Sequence, residues 1–218
     1  MKNDPDKEDV SMYTCADCTI VGCQEASKEG INLPKNCPMR QKEMMDAILD
    51  EYREPETNHF YRVAGTLEAD GYGVWPRLKE IIEFCKRMEY KNVGMAFCGG
   101  LRKEAQIVAQ LFRKHGIHLE TVVCKAGGYD KCEVGVADNE KIHPGEFEPL
   151  CNPIAQAKLL NDAGCEFNIV LGLCVGHDSL FMANSKALCT VLAVKDRALG
   201  NNPIAAIYTA HSYCRNKL

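Results

Sequence analysis

The chain has 218 residues with a formal net charge of −4, and its 26% charged residues are mixed in sign along the length, so no basic stripe points to nucleic acid. Its longest apolar stretch, NIVLGLCVG, is far shorter than the roughly 20 residues of a membrane span. The opening MKNDPDKEDV is polar throughout and lacks the apolar run of a secretory signal, which leads us to expect a soluble protein of the cytoplasm.

The first informative stretch is TCADCTIVGCQEASKEGINLPKNCP, Thr14–Pro38, which carries Cys15, Cys18, Cys23 and Cys37 ahead of any core-forming pattern. CPMRQKEMMDAILDEY then predicts a helix with Pro38 in its first turn and Met45, Ile48, Leu49 and Tyr52 on one face. After the polar break REPETN, Asn58 is placed to cap a second helix ending near Gly71. A third helix is expected from Pro76, with Leu78, Ile81, Ile82 and Cys85 at apolar spacing.

From residue 91 the pattern becomes strand and helix in alternation. NVGMAFC, HLETVVC, FNIVLGLC and LCTVLAVKD read as four apolar strands. Between and after them LRKEAQIVAQLFRKHG, PIAQAKLLNDAG, VGHDSLFMANS and NPIAAIYTAHSY read as helices. Near-continuous apolar strands separated by helices predict an α/β domain with a mostly parallel, Rossmann-like sheet covered on both faces. We therefore expect a cysteine-rich amino-terminal module over residues 1–56 and an α/β domain over 57–218.

Thirteen cysteines are more than a core needs. A chain of this length can bury a core without staples, and thiols in a reducing compartment seldom form structural disulfides. Metal or cluster ligation is the leading use. Cys15-x2-Cys18 is a local chelate spacing, completed by Cys23 and Cys37, and four thiolates suit either zinc or an iron–sulfur cluster. In the α/β domain Cys98, Cys124 and Cys174 end three strands, and Cys151 stands just before the Asn152-Pro153 helix start. A parallel sheet gathers these positions on one edge, where such folds bind their ligands. Helix amino ends there would stabilise thiolates and lower their pKa values.

The blocks CADCTIVGC, NCPM, FCGGLRKEA, VVCKAGG, CNPIAQAKLLN, GLCVGHDSLF and VKDRALGNNPIAAIY together resemble an uncharacterised bacterial and archaeal family of predicted metal-binding proteins with a domain of unknown function. The likeness runs from about Cys15 to Tyr208. It implies Cys15, Cys18, Cys23, Cys37, Cys98, Cys124, Cys151 and Cys174 as ligands, with Asp178 nearby, and implies no reaction. Cys132, in YDKCEVG, falls where the family pattern has no cysteine.

Three readings of function follow. The first is a redox or electron-transfer protein carrying one or two iron–sulfur clusters, with zinc as the alternative, above all at the amino-terminal site, and a redox protein as its partner. The second is a thiol or sulfur-transfer enzyme acting on a small anionic or thiol substrate. Its nucleophile would be Cys174, with His177 and Asp178 close by and Lys125, Lys195, Asp196 and Arg197 available to bind an anion. The third is a zinc-stabilised scaffold or sensor without turnover. The glycine turn of CGGLRKEA matches neither a dinucleotide nor a Walker pattern.

Overall fold

The computed structural model describes residues 13–25 and 30–218. The chain divides into two compact units, one ending at Arg62 and the other spanning Val63–Leu218. No helix among the described residues is long and apolar enough to cross a membrane.

In the first unit, 3-10 turns at Cys15–Asp17, Gly22–Gln24 and Pro38–Arg40 carry or border the four early cysteines. The loops are tied by Asn36 Nδ2 donating to Thr14 Oγ1 at 2.9 Å and by Arg40 donating to the Leu33 and Pro34 carbonyls. Gly22 lies under Ile31 and Leu33, where a Cβ would come within 2.8 Å of either side chain. The helix expected at Pro38 opens instead as a 3-10 turn. Gln41, with ψ 58°, separates that turn from α1 (Lys42–Arg53). The next helix, α2 (Pro55–Gly71), begins ahead of Asn58, because Pro55 fits a first turn whose N–H would be unpaired anyway. Asn58 does not cap it; its side chain turns back to the Tyr52 carbonyl at 3.1 Å.

The second unit holds α3 (Arg77–Arg87), β1 (Asn92–Phe97), α4 (Arg102–Lys114), β2 (His118–Val123), α5 (Pro153–Asp162), β3 (Phe167–Leu173), α6 (His177–Asn184), β4 (Leu188–Val194) and α7 (Ile204–Tyr208). The four strands form one sheet in the order β2-β1-β3-β4, every pairing parallel. Side chains alternate between its faces. On one face Ala96, Val122 and Val170 pack with Ala157 and Leu160 of α5 and Phe181 of α6. On the other, Phe84 of α3 meets Phe167 with ring centroids 5.3 Å apart. All seven residues of β3 are buried, as the unbroken apolar run FNIVLGL requires of a strand covered on both sides. Cys85 is fully buried in α3, and its thiol is pushed up to about 12 by desolvation.

Two details of the sheet matter for the site. The connection from β1 runs outward to β2 and the next returns past β1 to β3, so the order reverses between β1 and β3. Doubly wound folds open a crevice above the strand ends at such a point. Gly172 stands at φ +69°, within the register shift of β3 against β4, and a Cβ there would lie 2.2 Å from Leu101. The chain can bend at this place only because the residue has no side chain. At the far edge of the sheet Arg77 donates to the Val191 carbonyl at 3.1 Å and to Thr190 Oγ1 at 2.8 Å, covering β4.

Gly94 is opposite Asn168 in the ladder, and an added Cβ would stand 2.0 Å from Asn168 Oδ1 and 3.0 Å from Leu160. Asn168 is fully buried and bonded to Ser185 Oγ at 2.8 Å, so it cannot retreat freely. Gly94→Ala should cost about 1–3 kcal/mol through overpacking. Thermal unfolding checks this as a melting temperature lowered by about 2–4 °C per kcal/mol.

Candidate functional site

Cys98 follows β1 and precedes a 3-10 turn, Gly99–Leu101, that leads into α4. Cys124 follows β2, and its amide donates to the Phe97 carbonyl at 2.9 Å. Cys151 closes the long loop after β2 just before α5, whose Asn152 side chain caps the helix by accepting from Ala155 N at 3.0 Å. Cys174 follows β3, and its carbonyl receives the first amides of α6, from His177 and Asp178. These four residues, with Gln156, Leu173 and His177, line one small cavity of about 10 Å³, the room of roughly one water.

Three of the four sulfurs form a chain. Cys124 is in the middle, with Cys98 on one side and Cys151 on the other, and its thiol is held well above the usual range by both neighbours and by burial. Its proton therefore stays, and its sulfur also accepts the Gly99 amide at 3.3 Å. The flanking thiols move the other way. Cys98 is pulled down to about 5, first by its hydrogen bond to Cys124, then by the Gly100 amide and the Lys195 ammonium. Cys151 falls to about 5 through Cys124, Lys125 and the nearby His177. The outer two sulfurs are thus biased toward thiolate and the middle one toward thiol.

Each outer sulfur has its own cation. Lys125 Nζ is 3.4 Å from Cys151 Sγ and is anchored by the Pro149 carbonyl at 2.5 Å. Lys195 stands beside Cys98. Arg197 Nη2 donates to Cys174 Sγ at 3.2 Å. Asp196, read from sequence as part of an anion site, is spent on the turn itself, where its carboxylate accepts the Ala198 and Leu199 amides at 2.9 and 2.8 Å. Asp178 likewise accepts the Ser179 amide at the start of α6.

The sequence reading missed Gln156. Its side chain is fully buried, and Nε2 donates to the Val122 carbonyl at 2.7 Å and the Phe97 carbonyl at 3.2 Å. Both partners are acceptors, so the amide orientation is determined and Oε1 is the atom left over. Among the described residues it has no partner, and neither has the buried Nδ1 of His177. A buried acceptor without a donor costs about 1–3 kcal/mol, and two orphan polar atoms on residues lining one cavity mark a place shaped for something that binds. The only signal in the sequence was that a glutamine in PIAQAKLL falls on the same turn as buried alanine and leucine.

The remaining candidates lie elsewhere. Cys132 is exposed on the turn Lys131–Val134 and is not among the cavity residues. Its amide and thiol help hold Asp130, which ties the loop together with Lys141 and the Glu148 amide. In the first unit Cys15, Cys18 and Cys37 line a recess of about 210 Å³ with Asp17, whereas Cys23 is exposed and outside it. Among the described residues no group of three or more His, Cys, Asp or Glu side chains stands in the arrangement of a single-ion site.

Fold and site define a doubly wound parallel α/β protein with a thiol-lined crevice at the reversal of strand order. The chain belongs to the family described as protein of unknown function (DUF1847), whose profile matches residues 37–192. It is also similar to an uncharacterized protein of Methanocaldococcus jannaschii, 44% identical over 189 residues that cover 87% of this chain and 94% of that one.

In the reduced, metal-free protein, alkylation mapped by mass spectrometry should modify Cys98 and Cys151 readily at pH 6–7, with reactivity falling as the pH drops through about 5. Lys125→Met should raise the Cys151 midpoint and leave Cys98 unmoved, whereas Cys124→Ala should raise both.

Proposed function

We propose that the protein is a cytoplasmic redox protein whose Cys98, Cys124, Cys151 and Cys174 hold an iron–sulfur cluster, and whose Cys15, Cys18, Cys23 and Cys37 hold a second metal, zinc first. The reading rests on one observation: four thiols from four separate segments face one cavity at the reversal of strand order. The donor set is soft, and two of its members are drawn below the usual thiol range, toward the thiolate form that ligates. Ligands gathered from distant strand ends suit a group of several atoms. At about 10 Å³ the cavity must widen for it, and the chain beside Cys174 lies open, with Val175 93% exposed.

When bound, a cluster supplies one-electron chemistry. The protein's own residues set its terms. Lys125, Lys195 and Arg197 and the Gly99 and Gly100 amides place positive charge and N–H donors on the sulfurs. Both favour the more negative, reduced form and raise the potential. Gln156 Oε1 and His177 Nδ1 offer hydrogen-bonding atoms to a non-protein ligand or to water beside it.

A second reading is favoured by the sulfur chain itself. A thiolate beside a protonated thiol is the arrangement for attack on a sulfur electrophile followed by resolution, which supports thiol or sulfur transfer to a small substrate. In that case Cys151 and Cys98 join Cys174 as nucleophile candidates.

Anaerobic purification and reconstitution with ferrous iron and sulfide separates the two. Under the first reading the protein gains visible charge-transfer absorption with iron and sulfide bound. Cys98→Ser and Cys174→Ser lose that iron and keep the amino-terminal metal, and Cys15→Ser and Cys37→Ser do the reverse. Protein that takes up no iron, or Cys98→Ser and Cys174→Ser variants that load like the parent, would overturn it. Colourless protein whose Cys98 and Cys151 still react selectively would leave the second reading standing.

A further inference from the structure

A second recess, of about 610 Å³, runs beside β2 on the face opposite α5. Its helical wall is one stripe of α4: Arg102, Gln106, Gln110 and Arg113, with Ala105 and Ala109 behind them. Its sheet wall is Phe97, Thr121 and Val123. The two arginines are eleven residues apart on one helix, about 16 Å at 1.5 Å per residue. Neither has an ion-pair or hydrogen-bond partner among the described residues.

The adjoining strand has a free side. In the order β2-β1-β3-β4, β2 bonds only to β1 among the described residues. His118 N reaches the Lys91 carbonyl and Cys124 N the Phe97 carbonyl, so even-numbered residues face β1 and the backbone of Leu119 and Thr121 points outward. The opposite edge is covered by Arg77; no side chain among the described residues bonds to this one in the same way. An open edge beside a groove takes an extended segment as an added strand, with main-chain bonds for affinity and pockets for alternate side chains. Four extended residues, the offset that returns a side chain to the same face, span about 13 Å, which two long arginine side chains rooted about 16 Å apart can bracket.

We propose that the β2 edge and the α4 stripe form a docking site for an extended, acidic segment of a partner protein, whose carboxylates, four residues apart and so on one face of the added strand, pair with Arg102 and Arg113. Charge complementarity selects this occupant. Phe97 and Val123 of the groove directly precede Cys98 and Cys124, so the docked partner is held against the thiol crevice. The site does not depend on which chemistry that crevice performs.

The test uses the full-length protein and a fluorescently labelled peptide, Glu-Val-Thr-Val-Glu, at low salt. Saturable binding is expected. Arg102→Glu and Arg113→Glu should each weaken it at least tenfold, and the peptide with glutamine at both ends should bind at least tenfold more weakly. Hydrogen exchange should slow at the Leu119 and Thr121 amides when the peptide is bound. Unchanged melting and unchanged Cys98 alkylation in both variants would show that they are folded. The proposal is overturned by absence of saturable binding or by charge reversals without effect. It is equally overturned by binding that leaves β2 exchange untouched, which would mark a simple anion site on the helix.

Discussion

One proton shared by three sulfurs organises the crevice. Cys124 is buried between Cys98 and Cys151 and cannot lose its proton without placing three negative sulfurs together, so it keeps it and stabilises a thiolate on either side. A single S–H can point at only one neighbour at a time. The other thiolate depends at that moment on its cation, Lys125 for Cys151 or Lys195 for Cys98. Geometry alone would leave four ordinary thiols at a sheet edge; the shared proton divides them into two classes with different chemistry.

That arrangement depends on the backbone. The reversal of strand order puts the ends of β1 and β3 side by side, and Gln156 secures the crevice from below by bridging the Phe97 carbonyl of β1 and the Val122 carbonyl of β2. The two bonds tie the neighbouring strands together at the end of their ladder. Gly172 adds the bend that ends β3 against Leu101. The same residues thus finish the sheet and shape the site, and substitutions there are expected to disturb both.

Much of this was legible in the sequence because the physical signals were local. Four apolar runs of strand length, three of them ending on cysteine, lie in the structure within a residue or two of where the pattern placed them. Their parallel pairing followed from the helices between them. What was not legible depended on neighbours distant in the chain. Strand order decides that Cys98 and Cys174 adjoin, and nothing in either segment encodes it. Gln156 reads as a mid-helix polar residue until Phe97 and Val122 are placed above it. Asp196 looks like an anion-site neighbour until the turn that consumes its carboxylate is seen. At Pro38 and Asn58 familiar helix-start residues were read too generously: the first opens only a 3-10 turn, and the second lies within a helix already begun by Pro55.

The Arg77 side chain has an effect beyond β4. Sheets with two bare flanks can join head to tail without limit, which is how ribbons and fibres grow. Here one flank is occupied by a guanidinium group from the chain itself. A strand arriving at β4 would have to displace that group first, so the chain carries its own obstacle to edge-to-edge growth on this side.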